Sequence, residues 1–520
     1  MDSDPLLSHA LTGVVDYRGC PASRDATGRW TSALFIIGVE IAERFAFYGV
    51  SSNLISFLTG PLRESTAAAA AAVNVWSGWA SMLPLLGAFL ADSYLGRYRT
   101  IVIATLLYIL GLGSLTLLSS LPSSLLCPTD PVDCTPSPVL VTSFYASLYL
   151  MAFAQGGHKP CVQAFGADQF DENDPGECVA KSSFFNWWYM GMSSGVLVAI
   201  VVLSYIQDYV SWALGFGIPC TAMVIALVVF LIGTKTYRFY PIKESRTVTC
   251  MEKDLDAAEE DNQRLQPKQC ASSLGEEIKG LLRLFPTWAT CLTYAIVFAQ
   301  SPTLFTKQGS TLDRRIGFGL EAPPAALQVF SSIAILTSIL IYDRVLVPVA
   351  RKLTKHPSGI TMLQRIGAGM TISLVGIVIA AMVEMKRLQI AKDYGLVDQP
   401  DATVPMSVWW LVPQYILCGV SDVFTMVGLQ EFFYDQVPDA LRSLGLALYL
   451  SIFGIGSFIS GFLVSAIDKA SSASGDSWFS NNLNRAHLDY FYWLLAGLSA
   501  FGLLLYLHFS LAYVYKKERA

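Results

Sequence analysis

Three ionisable residues stand close together in an otherwise apolar stretch near the start of the chain. Glu40, Glu43 and Arg44 occur in GVEIAERFAFYG, and spacings of three and four place them on one face of a helix. Unpaired at bilayer depth they would cost about 8–10 kcal/mol together, so we expect them to face each other or a cavity. Because one arginine cannot pair equally with two buried carboxylates, one carboxylate should take up a proton readily. The pattern predicts proton coupling; a purely structural Glu–Arg cluster is the alternative.

Two further charges lie in apolar stretches of opposite halves of the chain. Lys159 ends AFAQGGHKP and Asp422 lies in CGVSDVFTMVG. Their small neighbours Gly156, Gly157 and Gly419 permit close helix approach. An ion pair between Lys159 and Asp422 would cancel both insertion penalties and join the halves in one conformational state. The alternative is that one or both lie at a hydrated helix end without a partner.

A carboxylate at a helix end followed by basic residues recurs at matching places in the two halves. Asp92 and Arg97 occur in ADSYLGRYRT, and Asp343 and Arg344 occur in YDRVLVPVARKL. We interpret both segments as gating loops. Glu431, in QEFFYDQ, is expected near the cytoplasmic end of its helix and is a weaker gate candidate.

The composition indicates what must position these residues. Of 520 residues, 53% are hydrophobic and 14% are charged, with a mean hydropathy of +0.47. Water-soluble proteins carry roughly a quarter charged residues, so a membrane protein is expected. A net charge of -5 argues against a nucleic-acid partner. The acidic N-terminus lacks an early apolar core, so no cleavable signal peptide is predicted.

Apolar stretches of about twenty residues, long enough to cross a ~30 Å hydrocarbon layer, predict twelve transmembrane helices. They lie near 33–59, 69–91, 100–120, 139–160, 184–206, 212–233, 286–306, 325–350, 360–384, 407–434, 443–467 and 489–514. A charged segment divides them six and six. The predicted organisation is an N-terminal tail (1–32), a six-helix bundle (33–233), a cytoplasmic linker (234–285), a second six-helix bundle (286–514) and a tail (515–520).

The distribution of Lys and Arg predicts that both termini are cytoplasmic. That orientation places 23 of them in cytoplasmic segments and nine on the opposite side, Lys386 and Arg387 among the nine. Within the linker, SSLGEEIKGLLRLF at 272–285 has apolar residues at helical spacing. It is predicted to be an amphipathic helix on the membrane surface.

Cysteine and histidine usage and the enzyme motifs exclude several function classes. Ten cysteines dispersed through the chain form neither a disulfide scaffold nor a Cys-x-x-Cys metal site. Cys127 and Cys134 could form a disulfide if their loop faces an oxidising compartment. Five scattered histidines predict no metal site. Phosphate-loop, nucleophile-elbow and zinc-protease signatures are missing from the sequence, so we expect neither an enzyme nor an ATP-driven pump. A channel is the alternative to a carrier.

Several motifs together resemble one family. They are EIAER at 40–44, AFLADSYLGRYRT, GGHKPCVQAFGADQFD, FFNWWYMG and QEFFYDQVPDALRSLGLAL. The chain resembles, over about residues 30–510, the plant nitrate and peptide transporter family, the plant branch of the proton-coupled oligopeptide transporters. The resemblance implies an all-α major facilitator fold, with two bundles related by a pseudo-two-fold axis, and proton-driven symport by alternating access. It also matches Lys159 to the family's fourth-helix lysine, whereas Asp422 stands where many members have Glu.

The resemblance suggests a substrate pocket lined by Tyr48, Phe298 and Gln300, with Arg44 and Lys159 as its cations. A nitrate-transporting relative has histidine at the position of Phe298, so a more apolar cavity is expected here. The predicted solute is nitrate, a di- or tripeptide, or another small anionic or zwitterionic organic solute. The alternatives are a plant hormone, a specialised metabolite, or a transport-receptor that uses the same site.

Regulation and location are also implied by resemblance. Thr100 corresponds to a phosphorylated threonine of a nitrate-sensing relative, which suggests a regulatory kinase; an unmodified helix-cap threonine is the alternative. DSDPLL at residues 2–7 resembles a vacuolar sorting signal, which leaves the vacuolar and the plasma membrane open. No cofactor is expected, since the proton gradient supplies the energy. The expected partners of a functional monomer are the small-molecule substrate, protons and the lipid bilayer.

Overall fold

The structure is a computed structural model that describes most of the chain. The described residues are 10–121, 137–171, 174–240, 282–317, 321–354, 360–400, 402–437, 442–473 and 477–513. Cys127, Cys134, the DSDPLL pattern and residues 272–281 of the predicted linker helix lie outside them.

The described residues are mostly helical. The α-helices are α1 (Arg29–Ser51), α2 (Leu54–Thr59), α3 (Thr66–Leu90), α4 (Arg97–Ser119), α5 (Pro138–Ala167), α6 (Pro175–Val198), α7 (Ser204–Tyr209), α8 (Trp212–Ile232), α9 (Phe285–Phe298), α10 (Thr306–Ser310), α11 (Gln328–Ile341), α12 (Val347–Thr354), α13 (Met362–Asp393), α14 (Val412–Asp435), α15 (Arg442–Ser472) and α16 (Leu488–Ala512). Four π-helical turns interrupt or extend them, at Ala91–Leu95, Ala199–Leu203, Ser301–Phe305 and Tyr342–Leu346. Short strands are β1 (Ala10–Val15), β2 (Pro21–Ser23), β3 (Leu312–Asp313) and β4 (Val404–Ser407).

The sequence specifies several helix starts locally. Proline, which has no N–H to lose at the first helical position, begins both α5 and α6. Asp174 caps α6 by accepting hydrogen bonds from the backbone N–H groups of Gly176 and Glu177. Thr361 and Gln364 form a reciprocal capping box at the start of α13.

The chain divides into two compact units, Met1–Val50 with Met82–Arg264, and Ser51–Ser81 with Leu265–Ala520. The segment Ser51–Ser81 therefore belongs to the second unit by its contacts. The predicted domain boundaries, which assign it to the first bundle, stay a prediction.

In the first unit, the N-terminal segment is tied to the end of the helical part. Strand β1 pairs antiparallel with β2, and Val15 pairs with Phe239. Nearby, the guanidinium of Arg238 is fully buried, and its Nη1 lies 2.7 Å from Glu177 Oε2. An aromatic core that includes Tyr98 and Phe230, stacked at 5.2 Å, packs behind it. A buried ion pair and apolar burial thus hold this end of the unit.

In the second unit, helices α9, α13, α14, α15 and α16 share an apolar core. The segment Ser51–Ser81 packs against α15 through α3, where Gly78 leaves space for the ring of Phe458. A Cβ at Gly78 would lie 2.6 Å from that ring. Asn74 donates a 3.0 Å hydrogen bond to Ser460 Oγ. A small residue and a polar contact therefore fix this helix against α15.

Ten helices of the described part are long and apolar enough to cross a membrane. Of the other predicted spans, the first is divided between α1, which carries Glu40, Glu43 and Arg44, and α2. The seventh is divided between α9, a π-helical turn and α10. The predicted class, an all-helical membrane protein, is confirmed. The count of twelve spans stays a prediction.

The predicted end of the ninth span at residue 384 is wrong. Helix α13 continues to Asp393, and Arg387, counted above as a loop residue, is fully buried within it. Arg387 lies 2.6 Å from Glu384, three residues earlier. Because each charge neutralises the other, the helix can continue where a search for apolar residues stops. Lys386 instead places its ammonium 3.6 Å from the centre of the Trp410 ring.

Candidate functional site

The three charged residues of α1 lie together and are buried. Their exposed fractions are 1% for Glu40, 0% for Glu43 and 4% for Arg44. Arg44 Nη2 lies 2.5 Å from Glu43 Oε2, and Arg44 Nε lies 3.5 Å from Glu40 Oε1. One guanidinium therefore contacts two carboxylates unequally, as the helix spacing predicts. Their role in proton coupling stays a prediction.

Two side chains from neighbouring helices complete this group. The Tyr108 hydroxyl, on α4, donates to Glu43 Oε1 at 3.2 Å. His158, on α5, is fully buried, and its ring lies edge-on to Tyr108 at 6.5 Å. One ligand atom each of Glu40, Glu43 and His158 lie within 4.8 Å of one another. We call Glu40, Glu43, Arg44, Tyr108 and His158 the Glu40 cluster.

Sequence reasoning missed both Tyr108 and His158. No local pattern distinguishes Tyr108, which lies in an ordinary apolar stretch. His158 was set aside with the other scattered histidines, although it directly precedes Lys159 in GGHKP. That adjacency to a charged intramembrane residue is the signal that could have identified it.

A metal ion is a poor occupant of the Glu40 cluster. Carboxylate and imidazole groups are suitable metal ligands, and these three residues form the one such group found in the described part of the chain. Arg44, however, already lies against both carboxylates. A divalent cation would have to displace this fixed positive charge, so we assign no metal here.

Lys159 lies on α5 next to His158 and interacts electrostatically with Glu40, Glu43 and Arg44. The close approach predicted at its glycines is confirmed. A Cβ at Gly156 would lie 2.7 Å from Leu83 Cβ, and one at Gly157 would lie 3.3 Å from Thr100 Cγ2. Small residues therefore bring α5 against α3 and α4 and place Lys159 beside the Glu40 cluster.

Asp422, in the second unit, is 9% exposed. Its carboxylate accepts a 2.5 Å hydrogen bond from the Tyr294 hydroxyl on α9. A Cβ at Gly419 would lie 2.3 Å from the carbonyl oxygen of Ser331, so the predicted close approach of α14 to α11 is confirmed. Tyr294 is thus a partner that the sequence did not reveal. The ion pair with Lys159 joins residues of the two units and stays a prediction.

The predicted pocket residues lie in different surroundings. Tyr48 packs edge-on against Phe47 at 5.4 Å and interacts electrostatically with Arg44. Phe298 packs against Phe453 at 5.6 Å and so lies in the aromatic surroundings of Tyr294.

Gln300 is fully buried. It donates hydrogen bonds to the Ile296 carbonyl oxygen at 2.7 Å and to Ser460 Oγ at 2.9 Å. Its amide nitrogen is thus committed to a buried network with Asn74. Whether Tyr48, Phe298 and Gln300 line a substrate pocket stays a prediction.

In the first predicted gating loop, Arg97 contacts the predicted Asp92 and also a third residue, Asp168. Asp92 lies in the π-helical turn after α3, and Gly96 follows with a φ of +77° that favours glycine. Arg97 lies 3.2 Å from Asp92 and 2.6 Å from Asp168, which follows α5. Burial raises the pKa of Asp168, although the Arg97 guanidinium opposes this shift. Asp168 belongs to the GADQFD motif but was not singled out from the sequence.

The second predicted gating loop has a similar backbone. Asp343 and Arg344 lie in the π-helical turn Tyr342–Leu346 after α11, and the side chain of Arg344 is exposed. Glu431 lies near the end of α14, with its side chain 44% exposed and 3.7 Å from Arg365. The sequence repeat therefore corresponds to a repeated local structure. The gating roles stay predictions.

Thr100, the candidate phosphorylation site, is 6% exposed. Its hydroxyl donates to the carbonyl oxygen of Gly96 at 3.0 Å, in the first turn of α4. A kinase would reach this hydroxyl only after α4 opens at its start. Phosphorylation stays a prediction.

A second buried group of charges was not expected from the sequence. Glu384 and Arg387 are both fully buried and form two hydrogen bonds, at 2.6 and 2.9 Å. Gln308 donates to Glu384 at 2.7 Å, and Arg387 donates to Asn484 Oδ1 at 2.9 Å and to the Leu483 carbonyl oxygen at 2.6 Å. We call Gln308, Glu384, Arg387 and Asn484 the Glu384 cluster.

The chain matches a known family and several curated relatives along most of its length. The POT family model matches residues 98–255 and 251–479. The chain belongs to this family. It is 60% identical to Protein NRT1/PTR FAMILY 5.10 of Arabidopsis thaliana, over 99% of this chain and 97% of the relative. It is 53% identical to Protein NRT1/PTR FAMILY 5.14 of the same plant, over 98% of each chain.

Solved structures show the same fold at lower identity. An auto-inhibited POT family peptide transporter matches with a TM-score of 0.71 and 22% identity, over 94% of this chain and 98% of that one. A POT family transporter in complex with 5-aminolevulinic acid matches with a TM-score of 0.66 and 16% identity, over 92% and 96%. The chain is therefore a multi-pass membrane transporter of the POT family and not an enzyme.

Proposed function

We propose that this transporter is a proton-coupled symporter. It moves nitrate, di- or tripeptides, or another small anionic or zwitterionic organic solute across a plant membrane by alternating access. The observation that carries the proposal is the imbalance of the Glu40 cluster, in which two buried carboxylates share one guanidinium. The carboxylate that Arg44 does not neutralise favours a bound proton.

The contacts indicate how a proton and a solute would be coupled. Transfer of this proton from Glu40 to Glu43 removes the negative charge that lies 2.5 Å from Arg44. The guanidinium then becomes available to an anionic group of the solute, and Lys159 supplies a second cation beside it. Release of the proton restores the Glu43–Arg44 pair and expels the anion. The proton gradient is the energy source, and no cofactor takes part.

The cations Arg44 and Lys159 support a solute with an anionic group. A relative of the same fold is solved with 5-aminolevulinic acid, which carries both an amine and a carboxylate. That ligand supports a zwitterionic solute for this transporter as readily as nitrate. Phe298, with Tyr294 and Phe453 beside it, favours a second candidate, a larger plant hormone or specialised metabolite. The transport-receptor alternative gains no support from Thr100, whose hydroxyl is bonded within α4.

The setting of the transporter forms part of the proposal. Both termini are cytoplasmic, and the protein acts as a monomer in the vacuolar or the plasma membrane. Its partners are the solute, protons and the bilayer. A regulatory kinase at Thr100 is the alternative to the unmodified helix-cap threonine that the hydrogen bond to Gly96 supports.

Uptake by the purified full chain in proteoliposomes tests the proposal independently of cellular location. The vesicles receive an inward proton gradient, and uptake of nitrate, glycylsarcosine, 5-aminolevulinic acid and abscisic acid is measured with and without it. We expect the wild type to concentrate at least one solute only with the gradient. Saturation and counterflow would distinguish a carrier from a channel.

Glu43→Gln identifies the residue that couples the proton, because the amide keeps the size of the side chain but cannot be protonated. We expect gradient-driven accumulation to be lost. Glu321→Gln is the matched control, since Glu321 has a half-exposed side chain in a loop. Accumulation by Glu43→Gln in response to acid would show that coupling does not reside in this cluster.

A further inference from the structure

We infer that His158 is a third proton-exchanging residue, which passes the coupling proton between the carboxyl groups of Glu40 and Glu43. The inference deepens the proposed function and rests on it. It assigns to α5, the helix of Lys159, a direct part in proton movement.

The first observation is that His158 is buried with its hydrogen-bonding capacity unused. The side chain is 0% exposed, and within the described residues neither ring nitrogen has a hydrogen-bond partner. Glu40 Oε2 is in the same condition. Leaving a buried polar group unsatisfied costs about 1–3 kcal/mol. The unsatisfied atoms of His158 and Glu40 are therefore available to bind or exchange a proton.

The second observation is the distance between these atoms. One oxygen each of Glu40 and Glu43 and one ring nitrogen of His158 lie within 4.8 Å of one another. Tyr108 donates to Glu43 and packs against the His158 ring, so it holds the two groups side by side.

A neutral imidazole can transfer a proton without a lasting charge. The proton of one protonated carboxyl group moves to the free ring nitrogen: its O–H bond breaks and an N–H bond forms. The same N–H bond then breaks as the proton passes to the second carboxylate, because one ring nitrogen lies near both carboxylates. One carboxyl has lost a proton, the other has gained one, and the ring ends neutral.

The charges around the ring favour this neutral route. Arg44 on α1 and Lys159 on α5 are both cations and oppose a persistent imidazolium, whereas Glu40 and Glu43 on α1 attract one for the duration of the transfer. Tyr108 on α4 also lies beside the ring. Helix α3, which also packs against α5, contains no ionisable residue.

The test separates proton movement from solute movement in proteoliposomes. Gradient-driven uptake requires net proton transfer, whereas counterflow exchanges solute without it. His158→Gln keeps a donor and an acceptor but cannot exchange a proton. We expect it to slow gradient-driven uptake about tenfold or more, while counterflow stays within about twofold of the wild type. His508→Gln, at an exposed histidine of α16, is the matched control and should change neither rate.

Each outcome has one meaning. Wild-type vesicles without gradient-driven uptake would overturn the proposed function itself. If the gradient drives uptake equally in the wild type and in His158→Gln, only the role of His158 is overturned. Equal loss of driven uptake and counterflow would mean that His158 is merely structural.

Infrared spectroscopy of the purified full chain needs no solute. After a pH jump, the wild type should show a transient imidazolium band while the carboxyl bands of Glu40 and Glu43 change, and in His158→Gln the band should be missing and the carboxyl change slower. Carboxyl bands that change at the same rate in both proteins, with no imidazolium band, would contradict the inference.

Discussion

The Glu40 and Glu384 clusters contain the same chemical groups but differ in their balance. Each has a buried arginine beside a glutamate on the same helix. In the Glu384 cluster one carboxylate pairs with one guanidinium. Gln308 donates a further hydrogen bond to the carboxylate, and the guanidinium donates to Asn484 and to the Leu483 carbonyl oxygen. In the Glu40 cluster two carboxylates share one guanidinium, and Glu40 and His158 keep unsatisfied atoms.

This difference indicates which buried charges stabilise the fold and which are available for chemistry. A closed pair in which each atom has a partner has nothing to gain from a proton or a ligand. An unequal group retains the capacity to bind either. Burial alone, which both clusters share, therefore does not identify a functional site in this protein.

The largest expected effect compares one substitution in each cluster. Glu384→Gln leaves Arg387 buried without its hydrogen-bonded carboxylate, which costs about 3–5 kcal/mol and should lower the melting temperature of the detergent-solubilised chain strongly. Glu43→Gln should lower it far less, because Glu40 still faces Arg44. Equal losses in melting temperature would mean that the two clusters do not differ in this way.

A change of the ion-pair partner of Lys159 between conformational states would further distinguish the surroundings of the Glu40 cluster from the closed Glu384 cluster. If Lys159 pairs with Asp422 in one state, Lys159→Ala or Asp422→Ala alone leaves a buried unpaired charge. Each single substitution should then impair uptake more than the double substitution does, with a coupling energy of about 0.5–3 kcal/mol. A double-mutant cycle on uptake rates measures this coupling. Additive effects would show that the two residues never meet.

The tyrosine partners provide a smaller, graded test. Tyr294→Phe removes a 2.5 Å hydrogen bond to the Asp422 carboxylate and should destabilise the chain by about 1.5–3 kcal/mol. Tyr108→Phe removes a 3.2 Å hydrogen bond to Glu43, which retains Arg44, and should cost about 0.5–1.5 kcal/mol. Thermal unfolding of both variants checks the order. A reversed order would contradict the view that Glu43 has the better-satisfied carboxylate.

The smallest effect is expected at Asp168, whose pair with Arg97 is partly exposed to solvent. Because its pKa is raised in the folded state, the folded protein binds this proton more tightly than the unfolded chain does. Wild-type stability relative to Asp168→Asn should therefore fall as pH rises from about 4 through the raised pKa. The change should stay under about 1 kcal/mol. Melting curves over this pH range measure it, and a rise in relative stability would mean that the sign is wrong.

Sequence alone was sufficient where the governing interactions are local. Apolar stretches of sufficient length identify the membrane helices, since hydrocarbon requires each backbone group to bond within its own helix. Spacings of three and four place Glu40, Glu43 and Arg44 on one face for the same local reason. The glycines near Lys159 and Asp422 correctly indicate close helix approach, because a residue without a side chain lets a neighbouring helix come close to its backbone.

Tertiary structure alone decided which distant residues complete each group. Tyr108 and His158 reach the Glu40 cluster from two other helices, 65 and 115 positions along the chain from Glu43. Asp168 meets Arg97 only because α5 ends beside the start of α4. Arg387, assigned from sequence to a loop, is buried because Glu384 and Asn484 satisfy it. A hydropathy profile evaluates each charge as if it stood alone in lipid, whereas the free energy of a buried charge depends on partners that only the packed helices bring within reach.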